Sequence, residues 1–149
     1  MEQKTQEEQY NFLVKQLFGS EKWEDRAEAA RKIGHLEQGK ATNLLIRALQ
    51  VEKDEVVINR IIEALGRIKN AKATMPIVEF LKKELEKEEP DKKRLFAIVE
   101  SLMKISDKRA LHHLGLLLES CDADIKEVTE EALKCIEPNW KENLKKENR

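Results

Sequence analysis

Two adjacent histidines, His112 and His113, and two cysteines, Cys121 and Cys135, are the residues whose chemistry first suggests a site. They are the nitrogen and sulfur ligands that zinc prefers. Their spacing argues against it. Neighbouring residues on a helix point about 100° apart, so His112 and His113 cannot readily share one ion. Cys121 falls in a turn and Cys135 on the helix after it, a spacing that matches no zinc pattern. The expectation is therefore no metal and no cofactor. His113 is expected to be half-buried, at the place Leu44 holds in an earlier helix, and His112 to lie on the surface. Both thiols are expected to be free, as in a reducing compartment.

Other chemistries have less to stand on. The five glycines, at 19, 34, 39, 66 and 115, are scattered, so no glycine-rich loop can cradle a phosphate. No serine or cysteine stands in a nucleophile motif. Carboxylates are so abundant on helix surfaces that a close pair carries no information. The expectation is a protein that is not an enzyme. Lys40, Arg47, Lys72, Lys82, Lys83 and Arg109 could in principle follow a phosphate backbone. Glu79 and Glu119 interrupt that row and no aromatic platform accompanies it, which makes a nucleic-acid interface the lesser reading. The net charge of −1, from 28 basic and 29 acidic residues, gives no general attraction to nucleic acid or an anionic membrane.

The elements that would position these residues recur. Ile33, Leu65, Leu102 and Leu133 occupy one register, and Leu36, Ile68, Ile105 and Ile136 another, three residues later. Successive equivalents are 32, 37 and 31 residues apart, a period that marks a helical solenoid. Charged residues make up 38% of the 149-residue chain and aromatics 5%, so helix formers abound and strand formers are few. Apolar residues at i, i+3, i+4 and i+7 predict first helices over 24–36, 56–68, 95–105 and 125–136. Asp54, Asp91 and Asp122 precede three of them as N-caps. Second helices begin at Ala41, Ala73 and Ala110, after the connectors LEQGKA, IKNAKA and ISDKRA. Connectors this short force antiparallel hairpins. Inward positions follow at Leu45, Ile77 and Leu114, then at Leu49, Leu81 and Leu118.

The ends read as caps. A helix over 6–18 matches a second helix without its partner. Thr129 and Glu130 replace Ile98 and Val99 in the last first helix, as expected where nothing covers its outer face. Trp140 and Leu144, one turn apart, are expected to fold back over that helix, and the final KKENR to fray. Trp23 is expected to pack under the N-terminal helix. The segment 82–94, KKELEKEEPDKKR, is one insertion, expected to be a solvated extension ended by Pro90, or alternatively a projecting contact element. The organisation expected is one domain: a cap helix (1–20), repeat 1 (21–51), repeat 2 with the insertion (52–89), repeat 3 (90–121), and a C-terminal cap and tail (122–149).

The run DEVVINRIIEALGRIKNAKATMPIVEFL, from Asp54, resembles a HEAT-like repeat of the phycobilisome-lyase type. Asp54, Val57, Ile61–Ile62, Leu65–Gly66, Ala73 and Pro76–Ile77 carry the likeness. Arg26, Ala29–Ala30, Ile33–Gly34 and Ala41 carry it in repeat 1, and Ile105 to Ala110 in repeat 3. The pattern departs where Arg26 gives way to Ile58 and Leu95, and where the glycine of repeats 1 and 2 gives way to Met103. The resemblance spans roughly residues 21–136 and implies an all-α superhelix, a HEAT-like solenoid of about three helix pairs with half-repeat caps. It also implies that second helices line a concave face. Family members include scaffolds, adaptors and assembly factors, with lyase subunits and DNA-repair enzymes in some branches, so function does not follow from the fold.

Periodicity then names the outward positions of the second helices. One column holds Asn11, Asn43, Met75 and His112. The next holds Lys15, Arg47, Glu79 and Leu116. The third holds Phe18, Gln50, Lys82 and Glu119. Val14, Ile46, Val78 and Gly115 stand at the groove edge, either adding to an apolar strip or packing against the next repeat. A partner helix or extended peptide could lie across these columns. The expectation is a protein-binding scaffold, adaptor or assembly factor, a monomer or weak homo-oligomer, cytoplasmic and not membrane-bound. The partner itself is not specified by the sequence. The alternatives are a nucleic-acid-binding module and an auxiliary subunit of a tetrapyrrole lyase or other modifying enzyme.

Overall fold

A computed structural model describes residues 5–120 and 122–147. Cys121, expected in a turn, lies outside the described residues, as do Asn148 and Arg149 of the terminal KKENR. Among the described residues every regular element is helical. The helices are α1 (Gln6–Gly19), α2 (Trp23–His35), α3 (Thr42–Val51), α4 (Glu55–Ile68), α5 (Thr74–Leu85), α6 (Lys92–Ile105), α7 (Leu111–Gly115), α8 (Ala123–Ile136) and α9 (Trp140–Glu147). They form an all-α solenoid of neighbouring helix pairs, and no helix among the described residues is long and apolar enough to cross a membrane.

Three of the first helices start on a capping aspartate, and three connectors turn at one register. The Asp54 carboxylate accepts from the N–H groups of Val56 (2.9 Å) and Val57 (3.1 Å). Asp91 accepts from Arg94 N–H, and Asp122 from those of Asp124 and Ile125. These are the orphan donors of a helix N-terminus. At the other end, Glu37, Lys69 and Ser106 hold the same register and share a left-handed conformation, with φ of 51°, 63° and 59°. That residue turns the chain, and a short 3₁₀ segment follows it in each connector: Gly39–Ala41, Ala71–Ala73 and Lys108–Ala110. Ala41, Ala73 and Ala110 are fully buried, as hairpins this tight require.

The first helices pack against one another through a seam of small residues. A β-carbon on Gly34 would fall 2.8 Å from the Cα of Ala64, and Gly66 meets Ser101 in the same way one pair later. The buried Ser101 hydroxyl is satisfied by donating to the Ile62 carbonyl across the seam (2.9 Å). In repeat 3 the equivalent position is Met103, half-buried against the core. The core runs unbroken along the stack, from Leu13 and Leu17 through Ile33, Ile62, Leu65, Ile98 and Leu102 to Leu133 and Ile136.

Several expectations are corrected. Thr129 is fully buried, not an outward cap residue. It belongs to the inward stripe Ile125, Val128, Thr129, Ala132, Leu133 and Ile136. Of the pair, Glu130 alone faces outward, where the next repeat would sit. Trp23 is 43% exposed, so it is not a core residue. Trp140 packs against the core beside Glu130 and Lys134 of α8, as expected, whereas Leu144 meets Gly115 of α7 instead of α8. Helix α9 continues through Glu147. In repeat 3 the second helix tightens to 3₁₀ over Leu116–Glu119. Three residues per turn replace 3.6, so Leu117 takes the core slot expected for Leu118, which is only half-buried.

The insertion is not simply solvated. Helix α5 runs on to Leu85 and buries Glu84, and α6 begins by burying Arg94; the two side chains are 2% and 4% exposed. Arg94 pairs with Glu84 at 3.7 Å and also donates to the Asn59 side-chain amide oxygen and the Glu55 carboxylate. The second Glu84 oxygen accepts from Asp91 N–H (3.0 Å), closing the loop onto its own base.

Candidate partner-binding face

The second helices carry the outward columns, and their inward faces are fixed by the buried Leu13, Leu45, Ile77 and Leu114. Asn11, Lys15, Phe18, Asn43, Arg47, Gln50, Glu79, Lys82, His112, Leu116 and Glu119 are exposed. Met75 is half-buried and packs against the core. It sits one turn before the core position Val78, so helix geometry draws its side chain toward the seam between repeats.

The groove-edge column resolves as inter-repeat packing. Val78 is fully buried, and Val14 and Ile46 are partly buried against the core. Gly115, their equivalent, faces Leu144, with 3.1 Å between a built β-carbon and Cδ1. The apolar strip expected along this edge therefore shrinks to side chains that stand clear of it. Phe18 is 42% exposed and Leu116 47%.

Charge on this face is largely local. Lys82 pairs with Glu79 (3.2 Å), and Arg109 with Asp107 (2.6 Å). Arg109 also donates to the Ala71 carbonyl, bridging two successive connectors. Its guanidinium holds the Asp107 carboxyl at about 2, below the usual 3.8. Lys40 lies over the Tyr10 ring and Lys83 over the Phe80 ring. The six basic residues thus form no continuous free row. Among the described residues only Arg47 and Lys72 of the six have neither an ion pair nor a ring partner.

Among the described residues, no group of three or more His, Cys, Asp or Glu is placed to hold a metal ion. His112 and His113 stack edge-on, with ring centroids 5.5 Å apart. Burial pushes the His113 pKa down, with the nearby Lys82 ammonium adding to the effect, so the imidazole stays neutral near pH 7. Cys135 is a free, exposed thiol on α8.

Sequence periodicity missed the cavities at the edge of the stack. One, of about 430 Å³, is walled by Leu85 and Pro90 of the insertion, Leu95 of α6, Leu116 and Leu117 of the 3₁₀ segment, and Ile125 of α8. A second, of about 330 Å³, lies at the matching edge of repeat 1 between Phe18, Arg26 and Val51. The signals present were an apolar Leu116 in an otherwise charged outward column and the insertion itself, but their meeting depends on the shift from α to 3₁₀.

No curated protein matches the chain as a relative. HEAT repeats match residues 10–89, more than half of the sequence, and the paired helices described above continue that pattern beyond the matched region. By that match and by its helix-pair architecture, the chain belongs to the HEAT repeat family.

Proposed function

We propose that this protein is a non-enzymatic, protein-binding scaffold or adaptor that holds a partner helix or peptide on the face formed by its second helices. HEAT repeats commonly serve as protein-interaction scaffolds. The observation that carries the reading for this chain is the contrast between columns. The inward columns repeat and are buried, whereas the outward ones differ from repeat to repeat and eleven of those twelve residues are exposed. A stacked core holds such a surface in place before binding, which lowers the entropic cost of docking.

Affinity capture from the native source under gentle conditions, with cross-linking and mass spectrometry, tests the reading. A partner cross-linked to Lys15 or Lys82 supports it. Recovery of no partner counts against it. Arg47→Glu and Leu116→Asp are the informative variants because both side chains are exposed. Each should weaken capture without loss of helicity. Met75 is a poor probe, since Asp there disturbs packing as well as the surface.

A nucleic-acid module would instead show affinity falling steeply with salt and lost in Arg47→Glu/Lys72→Glu, the two basic residues without a partner. The phycobilisome-lyase likeness of residues 54–81 would be supported by a bound pigment and a second subunit on purification.

A further inference from the structure

We propose that the cavity between the insertion and the 3₁₀ segment is a docking pocket for a basic, leucine-bearing helical segment of a partner protein. The inference rests on the protein-binding reading and names the chemistry of what is bound. The floor of the pocket is apolar: Leu95, Leu117 and Ile125 are core residues whose edges reach it. Leu116 stands over them, 47% exposed. A second leucine-sized side chain entering beside Leu116 would bury apolar surface on both partners. The cavity of about 430 Å³ holds one or two such side chains.

The rim selects charge. Glu88 and Glu119 line it and have no ion pair among the described residues. The lysine on the same rim, Lys92, is already held by Asp122 (3.2 Å) and Asp124 (2.8 Å). What the rim offers an arriving partner is therefore negative. An apolar anchor flanked by Lys or Arg complements it, and one flanked by acids is repelled.

The walls are fixed in advance. Glu84 closes the insertion through Asp91 N–H and Arg94, which sets Glu88 and Pro90 opposite the 3₁₀ segment. That segment in turn aims Leu116 at the opening, because its three-residue turn places Leu117 in the core.

The test uses the full chain and a short fluorescein-labelled helical peptide with leucines at i, i+3, i+4 and i+7 and lysines on its other positions. A second peptide replaces every lysine by glutamate. Fluorescence anisotropy should show binding of the lysine peptide and at least roughly tenfold weaker binding of the glutamate peptide. Leu116→Asp should abolish binding, and Glu88→Lys/Glu119→Lys should reverse the preference between the peptides. All three positions are exposed, and circular dichroism checks that the variants remain folded. Equal binding of both peptides, or binding that survives Leu116→Asp, overturns the proposal. So does concentration-dependent dimerisation that is lost in Leu116→Asp without peptide binding, which would assign the pocket to a second copy of this chain. If neither peptide binds while cross-linking maps a native partner to Lys15, the pocket fails and the adaptor reading stands.

Discussion

A β-carbon placed on Gly66 would lie 2.6 Å from the Ser101 hydroxyl oxygen and 2.7 Å from the Ser101 Cα. In an exposed helix, glycine to alanine stabilises by about 1 kcal/mol. Here the sign reverses, because the obstacle includes backbone and the Ser101 hydroxyl is anchored on Ile62. Gly66→Ala should destabilise by about 1–3 kcal/mol, the usual cost of overpacking. Gly115→Ala is the contrast: its nearest neighbour is the end of the flexible Leu144 side chain at 3.1 Å, and it should be close to neutral. Urea unfolding of the two variants measures the difference.

The insertion depends on a buried ion pair. Removing Glu84 takes away the buried counter-ion and leaves Arg94 with the exposed Glu55 carboxylate and the Asn59 side-chain oxygen. Glu84→Ala should cost about 1–3 kcal/mol. Glu84→Leu combined with Arg94→Met should recover most of that loss, since neither charge is then left buried. The midpoints of urea unfolding for the single and double variants decide the matter.

Asp107 gives the fold one acid-sensitive contact. Its folded pKa of about 2 lies below the usual 3.8, because the Arg109 guanidinium bonds the carboxylate. A depressed pKa adds stability that is fully present above 3.8 and is lost as the pH falls toward 2. The contribution should be on the order of 1–2 kcal/mol, reduced by the solvent exposure of Arg109. The stability difference between wild type and Asp107→Asn should be largest near neutral pH and shrink through that window, as followed by urea titrations at stepped pH.

The Thr129 hydroxyl is fully buried and has no hydrogen-bond partner among the described residues. Valine has the same branched shape and no polar atom to desolvate. Thr129→Val should therefore leave stability unchanged or raise it by about 1 kcal/mol. A thermal or urea melt showing a clear loss would mean that the hydroxyl finds a partner in solution.

The apolar columns, the connectors and the capping aspartates were legible in the sequence, because a 3.6-residue period and short polar turns leave direct traces in residue order. Ile33, Leu65, Leu102 and Leu133 could be aligned by eye. What could not be read was anything that turned on a local change of helical pitch or on residues far apart in the chain. Leu117 and Leu118 differ only by whether the turn holds three residues or 3.6. Glu84 and Arg94 look like members of a charge run until α5 and α6 bring them together. Thr129 is polar by type but sits on the inward face of α8, which residue type alone does not reveal. Eleven of the twelve outward residues are exposed, Met75 being half-buried, but the pocket beside Leu116 takes three separate elements to form.

The seam of small residues also decides how this protein could be lengthened. Gly34 is matched to Ala64, and Ala64 belongs to the same pair as Gly66. If the middle pair were duplicated in tandem, Gly66 of the first copy would face Ala64 of the second, reproducing a fit the chain already contains. Repeat 3 has no such property, since Met103 fills the space that glycine leaves open. The middle pair is thus a modular unit.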